Sequence, residues 1–311
     1  MKKIVNSVKI QGRLFDGDIQ VKTVQNEKSE NYGKEFINGT LNIAVDEEGT
    51  NVIPVHYSYV TATTKAGQAN RTYAALKKII DEGKFWATDG KEAATKVECT
   101  TAFDANDFVG KDENIVATTR FEGGFVTILS QLKDEAERNL AQVDMVITKL
   151  EDVEENPERD IEAHSNIKGC TFDFRGNLIP LTFSVYNPKI VEWLEKNDVG
   201  SSPLFIKTYV KIENITKMVE VREELAFGEA VTTREKKVKN YIVYNFAAEP
   251  YEFDDENTIT ADELDQAMKN RELHLAEVKK NHEEWMNGGG ATTTKAAPTP
   301  ASKPKNRTYD F

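Results

Sequence analysis

Apolar and polar residues alternate through most of this chain, and the alternation comes in two similar copies. In the first, Ile37-Asn38-Gly39 opens one period-two run and Asn51-Val52-Ile53-Pro54-Val55-His56-Tyr57-Ser58 opens the next. In the second, Ile167-Lys168-Gly169 and Asn177-Leu178-Ile179-Pro180-Leu181-Thr182-Phe183-Ser184 repeat the order. Period two, rich in β-branched and aromatic residues, predicts half-buried strands. Each strand pair is followed by apolar residues at helical spacing, predicting helices over 71–82 (Tyr73, Leu76, Ile79, Ile80) and 188–197 (Ile190, Val191, Leu194). Pro188 suits a first helical turn, where its missing N–H costs nothing. Further strand-like runs follow at 96–103 and 204–212. Ile37 to Ile167 is 130 residues and Asn51 to Asn177 is 126. Solenoid repeats have periods of roughly 20–50, so a spacing this long points to a duplicated domain.

Ahead of the first copy, Val8, Ile10 and Leu14 alternate with polar residues, and Gly12 among them predicts a bulge or a barrel corner. The run continues through Ile19, Val21 and Val24 to a polar loop at 25–34. A fifth strand is expected over 118–129, then a short linking helix over 130–140. Val143, Val146, Ile147 and Leu150 start the second copy. The stretch 218–239 has no counterpart in the first copy and reads as a strand pair or long loop, ending in Arg234-Glu235-Lys236-Lys237-Val238-Lys239. Tyr241, Val243 and Phe246 supply a closing strand. Thr260-Ala261-Asp262-Glu263 is a capping box. The helix it opens should run to about Met286, with Leu264, Met268, Leu275, Val278 and Trp285 as its apolar stripe and Arg271 and His282 interrupting it. That stripe packs on a barrel or pairs with another helix. From Gly288 onward Thr, Ala, Pro and Lys cannot bury enough apolar area to fold, so a disordered tail is expected. The expected division is 1–130, 141–250, a helix over 258–287 and a tail over 288–311.

Asn6-Ser7-Val8-Lys9-Ile10-Gln11-Gly12-Arg13-Leu14, followed by Glu35-Phe36-Ile37-Asn38, resembles the bacterial single-stranded DNA-binding proteins. That family begins Asn-x-Val-x-Leu-x-Gly-Arg-Leu and later carries Asp-Phe-Ile-Asn. The match spans about forty residues. It implies an OB-fold, a five-stranded Greek-key barrel, with a helix between its third and fourth strands; the order read from periodicity agrees. The fold class expected is mainly β with short helices: tandem OB-fold-like Greek-key barrels, a C-terminal helix and a tail. Family members usually carry one barrel per chain and act as tetramers. Two barrels in one chain suggest a phage-type relative.

Composition changes this picture in two respects. No apolar run approaches the roughly 18 residues that span a bilayer. The start, Met1-Lys2-Lys3-Ile4-Val5-Asn6, lacks the apolar stretch of a signal peptide. A cytoplasmic location without membrane partners is therefore expected, in the host cell if the chain is phage-encoded. Cys99 and Cys170 sit in separate copies, which favours buried free thiols over a disulfide. The formal net charge is −12, but it is unevenly spread: −2 over residues 1–129, −6 over 130–249, −7 over 250–286 and +3 over 287–311. A near-neutral first copy leaves room for a basic face, and local patches decide nucleic-acid binding.

Enzyme signatures are missing. There is no phosphate loop, dinucleotide fingerprint or His-Glu-x-x-His, and neither the scattered histidines nor Asp254-Asp255-Glu256 suggests a metal site. Hence no catalysis, cofactor or metal is expected. Binding single strands takes cations along the phosphates and rings on which bases stack. Candidate contacts in the first copy are Arg13 and Phe15 past the corner glycine, Tyr32 and Lys34 in the polar loop, and Lys65 and Arg71 before the helix. In the second they are Arg175, beside Phe172 and Phe174, and the trio Lys207, Tyr209 and Lys211 on one strand face. Tyr57 and Tyr59 share the face of Val55 and are expected in the core. The chain ends Tyr309-Asp310-Phe311, resembling the family's partner-docking Pro-Phe terminus, although Lys303, Lys305 and Arg307 make its approach basic. The resemblance thus implies single-stranded DNA as partner, replication or recombination proteins recruited by the tail, and self-association through the C-terminal helix as a further option. Overall acidity favours a competing reading, a protein-docking module of a phage assembly.

Overall fold

The computed structural model describes residues 4–64, 66–157, 160–225, 228–253 and 259–286, and only the backbone over 220–231. The first copy of the repeat supplies β1 (Asn6–Gly17), an arm strand β2 (Gln20–Thr23), β3 (Glu35–Ala44), β4 (Val52–Thr61), α1 (Arg71–Glu82), a one-turn α2 (Trp86–Asp89), β5 (Lys96–Val109) and β6 (Ile115–Ile128). β1 pairs with β3 and β5, β3 with β4, β5 with β6, and β4 with β6 in parallel. Leaving out the arm, the ring closes first–second–third–fifth–fourth–first, the Greek-key order of an OB-fold. The second copy repeats it with β7 (Asn139–Val153), β8 (His164–Phe172), β9 (Leu178–Val185), α3 (Pro188–Lys196), β10 (Leu204–Leu225) and β11 (Gly228–Phe246), again with a parallel contact between third and fifth strands. α4 (Ala261–Met286) follows.

The repeated motifs have local causes. Pro54 and Pro180 lie in third strands whose far side meets the fifth strand at a single bridge, so the N–H that proline lacks is not needed there. Gly39 and Gly169 stand where neighbouring backbone comes too close for a side chain. A Cβ on Gly169 would lie 1.9 Å from the Val146 carbonyl oxygen, and Gly39 has φ of +136° with Ile19 Cα at 2.6 Å. Each helix after the third strand is capped by asparagine: Asn70 accepts from the Thr72 N–H and Asn187 from the Lys189 N–H, both at 3.0 Å. Gly12 is the corner predicted for β1, facing the Ala44 carbonyl where the strand passes from β5 to β3.

Two predicted elements change, and a third, 218–239, takes the strand-pair form of its two readings. The linking helix over 130–140 shrinks to one 3-10 turn, Glu135–Glu137, because Asn139 already pairs with β1. The run at 96–103 extends to Val109, since β5 continues into a hairpin with β6. The stretch 218–239 becomes a ribbon of β10 and β11 that continues both barrel strands.

β1 and β7 join the barrels edge to edge. Asn6 and Asn139 open their copies' first strands, and Asn6 pairs with Val143 while Ile10 pairs with Asn139. Equivalent residues thus meet equivalent residues, the self-complementary pattern of a two-fold interface within one chain. Asn6 bonds the Phe103 backbone both ways (3.0 Å each), and Asn139 donates to the Ile212 carbonyl. At the seam Phe103, Phe121, Phe183 and Tyr241 pack with centroids 5.1–6.1 Å apart, edge to face where Tyr241 meets each phenylalanine and tilted where Phe103 meets Phe121 and Phe183. Full burial of each such ring contributes about 1.5–3 kcal/mol, so one core runs through both barrels. α4 shows both halves of the predicted capping box, Glu263 N–H to Thr260 Oγ1 and Thr260 N–H to the Glu263 carboxylate. Its Leu264 and Ala267 join Ile259 against Phe172 and Phe205 of the second barrel. Trp285, at the end of the expected stripe, is exposed. Among the described residues no helix is long and apolar enough to cross a membrane.

Candidate nucleic-acid interface

In each barrel an aromatic pair stands where the second strand begins and the third ends. Phe36 and Tyr59 lie 4.6 Å apart between ring centroids, and His164 and Tyr186 stack at 4.9 Å with planes 29° apart. The third strand overhangs the barrel at this end, and its inside-outside alternation lapses after Tyr57. Tyr57 is fully buried, with its hydroxyl 3.6 Å from Cys99 Sγ, whereas Tyr59 is 48% exposed. The expected core place for Tyr59 is therefore corrected: a bulge in β4, where Ser58 and Tyr59 together face the single β3 residue Asn38, breaks the alternation there. His164 is oriented through its Nδ1 and the Glu162 carbonyl (2.7 Å), and Asn240 donates to the Tyr186 hydroxyl (3.0 Å). Sequence reasoning passed over Tyr59, His164 and Tyr186. The two tyrosines carried one signal, an aromatic within two residues after the repeated serine, Ser58 or Ser184; His164 carried none.

The first barrel surrounds its pair with cations. Lys22 donates to Asn38 (2.9 Å) and Lys34 to Asn31 (3.1 Å), both neutral partners. Arg71 begins α1 and is exposed; Asn70, beside it, bonds the Thr61 carbonyl at the end of β4. No carboxylate pairs with Lys22, Lys34 or Arg71 among the described residues. Tyr32, 54% exposed, stands on the turn joining β2 to β3, and Tyr73 reaches Glu35 (3.4 Å). Of the sequence candidates, Tyr32, Lys34 and Arg71 thus gather at this end of the barrel. Lys65 lies outside the described residues, as do Tyr309, Asp310 and Phe311 and the cluster Asp254-Asp255-Glu256.

Other candidates are engaged elsewhere. Arg13 is nearly buried and pairs with Glu47 (3.2 Å), which also holds Arg138 (2.7 Å) and Lys91 (3.0 Å). Phe15 is half-buried with its ring 5.9 Å from Trp86. Both serve packing because the residues past the corner glycine turn toward α2 rather than outward. Lys207, Tyr209 and Lys211 do share the outer face of β10. There Lys207 lies 3.9 Å from Asp144, Lys211 3.4 Å from Glu213, and Tyr209 6.2 Å from the Tyr244 ring. β10 is the fourth strand, so the trio does not join the His164–Tyr186 pair. Arg175 sits 5.0 Å over the ring of Phe174 in the β8–β9 turn, while Phe172 is buried.

The titratable groups at the seam are quiet. Burial holds the Cys99 and Cys170 thiols up at about 12, so neither is a nucleophile at neutral pH. Burial, reinforced by Arg120, keeps His56 below its ordinary value, and burial lowers Lys239, whose ammonium donates to the Thr119 carbonyl (2.6 Å). Among the described residues no group of three His, Cys, Asp or Glu side chains is placed to hold a metal ion.

Comparison with curated proteins finds no match. Among solved structures, a deletion mutant of the single-stranded DNA binding protein from Thermus aquaticus overlaps 82% of this chain and 98% of its own. It is 9% identical with a TM-score of 0.41, a likeness too distant to bear on function. The model of the YorF family matches residues 5–281, most of the chain, including both barrels and nearly all of α4. The chain belongs to the YorF family.

Proposed function

We propose that the protein binds single-stranded DNA without catalysis and with broad sequence tolerance, covering strands exposed in replication, recombination or repair. The observation that carries this reading is the aromatic pair at the same end of the second and third strands in both barrels. OB-folds use this face and its flanking loops for oligonucleotides. Exposed rings accept any base by stacking, and Lys22, Lys34 and Arg71 supply charge for phosphates in the first barrel. The terminal Tyr309-Asp310-Phe311 would recruit replication or recombination proteins. The competing reading, a docking module of a larger assembly, draws on the net charge of −12 and on the paired cations of the second barrel, such as Lys168 with Glu151 and Lys217 with Asp160.

The test is fluorescence anisotropy of a labelled mixed-sequence oligonucleotide at several salt concentrations, with its duplex as control. The expected result is a preference for the single strand and a linear log–log salt plot whose slope counts phosphate contacts. No binding at low salt would sink the reading and favour the docking module.

A further inference from the structure

A second feature of the seam lies away from the aromatic pairs. A cavity of about 400 Å³ opens between the start of β1, the middle of β5 and the β8–β9 turn. Ile4, Ala102, Phe103 and Phe172 line its apolar side, and Phe174, 89% exposed, stands at its mouth. The Arg175 guanidinium sits over the Phe174 ring. A planar cation on one face of an exposed ring leaves the other face free for stacking.

The polar lining is Asn6, Arg175 and three carboxylates, those of Asp104, Glu122 and Asp173. Two of these carboxylates are already occupied. Asp173 accepts from the Arg175 and Asn177 backbone N–H groups and from the Asn177 side chain, at 2.7–2.8 Å. Glu122 accepts from the Ser58 N–H (2.9 Å) and pairs with Arg120 (3.0 Å). Asp104 is the open one. It is half-buried, bonds only the Ala105 backbone, and has no side-chain hydrogen-bond donor among the described residues. Burial raises its pKa, with Glu122 and Asp173 adding to the rise and Arg120 opposing it.

With three carboxylates against one guanidinium, itself laid over Phe174, the lining disfavours phosphate and attracts a hydrogen-bond donor attached to a flat apolar body. The exocyclic amines of cytosine, adenine and guanine are such donors, and carboxylates accept from cytosine N4 in base readout. Thymine lacks one; its N3–H lies between two carbonyl oxygens that a carboxylate repels. The volume is within the range of small-molecule pockets.

We propose that this cavity takes a nucleobase bearing an exocyclic amine, stacked on Phe174 and bonded to Asp104, and so biases the protein against thymine. The inference rests on the single-strand reading above. The base can belong to a bound strand or to a free nucleoside, and the two sources separate by experiment.

Labelled dT, dC and dA oligonucleotides of one length are titrated with the full chain and with Asp104→Ala and Phe174→Ala variants. In parallel, free deoxycytidine and thymidine are titrated calorimetrically. The intact chain should bind dC and dA at least about fivefold tighter than dT. Asp104→Ala should bring the three together while leaving dT binding unchanged; the ratio cannot be mimicked by a general loss of affinity. Phe174→Ala, at an exposed position, should weaken dC and dA by about fivefold or more. A calorimetric signal for deoxycytidine but not thymidine, lost in Asp104→Ala, would identify free nucleoside as a ligand of the same cavity. Equal affinity for all three strands with no nucleoside signal overturns the inference and leaves single-strand binding standing. A preference that survives Asp104→Ala overturns it too. Failure of every strand to bind the intact chain removes the reading it rests on.

Discussion

Tyr57 and Tyr59 stand two residues apart on one strand, yet one lies in the core and the other meets solvent. Period two governs side chains only while the strand stays inside the barrel wall, and β4 leaves it at Ser58. Tyr59→Ala should weaken single-strand binding by about 1–3 kcal/mol, the usual worth of one stacked base, while denaturant midpoints stay close to those of the parent. A large loss of stability with unchanged affinity would place Tyr59 back in the core. Glu47 shows the converse, charges that look free in sequence and are structural in the fold. The hydrogen bond from Arg138 first, then that from Lys91, hold its carboxyl at about 2 rather than 4.5. A carboxyl lowered on folding adds stability above its unfolded value and loses it as pH falls through the folded one. Stability should therefore drop between pH 4.5 and 2, and urea titrations of Glu47→Gln should lack that part of the slope. The effect is muted because the side chain is 39% exposed and screened.

At the scale of elements, the Ile-x-Gly repeat and the asparagine caps are local, and the sequence announces them. Gly39→Ala and Gly169→Ala should each cost about 2 kcal/mol or more in chemical denaturation, since an added Cβ meets backbone that has nowhere to move. α4 was legible as a helix with its cap, but not in how it is held. Arg271 looked like an interruption in an apolar stripe. In the fold its guanidinium makes two 2.5 Å hydrogen bonds to Asp107, whose side chain is 1% exposed and 164 residues away in sequence, with His274 3.5 Å from the same carboxylate. Removing one member of a buried pair costs about 3–5 kcal/mol, because the other is left charged and unpaired. Arg271→Ala should show a loss of that order in urea unfolding, and Asp107→Leu with Arg271→Met should recover most of it. Equal destabilisation by single and double variants would argue against the pair.

For the whole molecule, the decisive contact is the β1–β7 seam. It makes the two copies one sheet with one core, so separating them exposes a strand edge and the rings of Phe103 and Phe121. Residues 4–137 expressed alone should self-associate through β1, because that edge pairs with a near-copy of itself in the intact chain. Sedimentation would show this as a dimer, and a stable monomer would contradict it. What the sequence determined by itself is whatever depends on neighbours along the chain: strand alternation, the duplicated motif with its proline and glycine, the asparagine caps and the capping box. From these the two-barrel β architecture could be read. What only the tertiary structure decided depends on partners that are not neighbours along the chain but are brought together from tens of residues apart or more. Arg13 joins the ion cluster on Glu47 with Arg138, Lys207 faces Asp144, His164 meets Tyr186, and Asp104 and Phe174 share a cavity. Periodicity says which way a side chain points from its own strand; what waits for it there is set by how the other strands close around it.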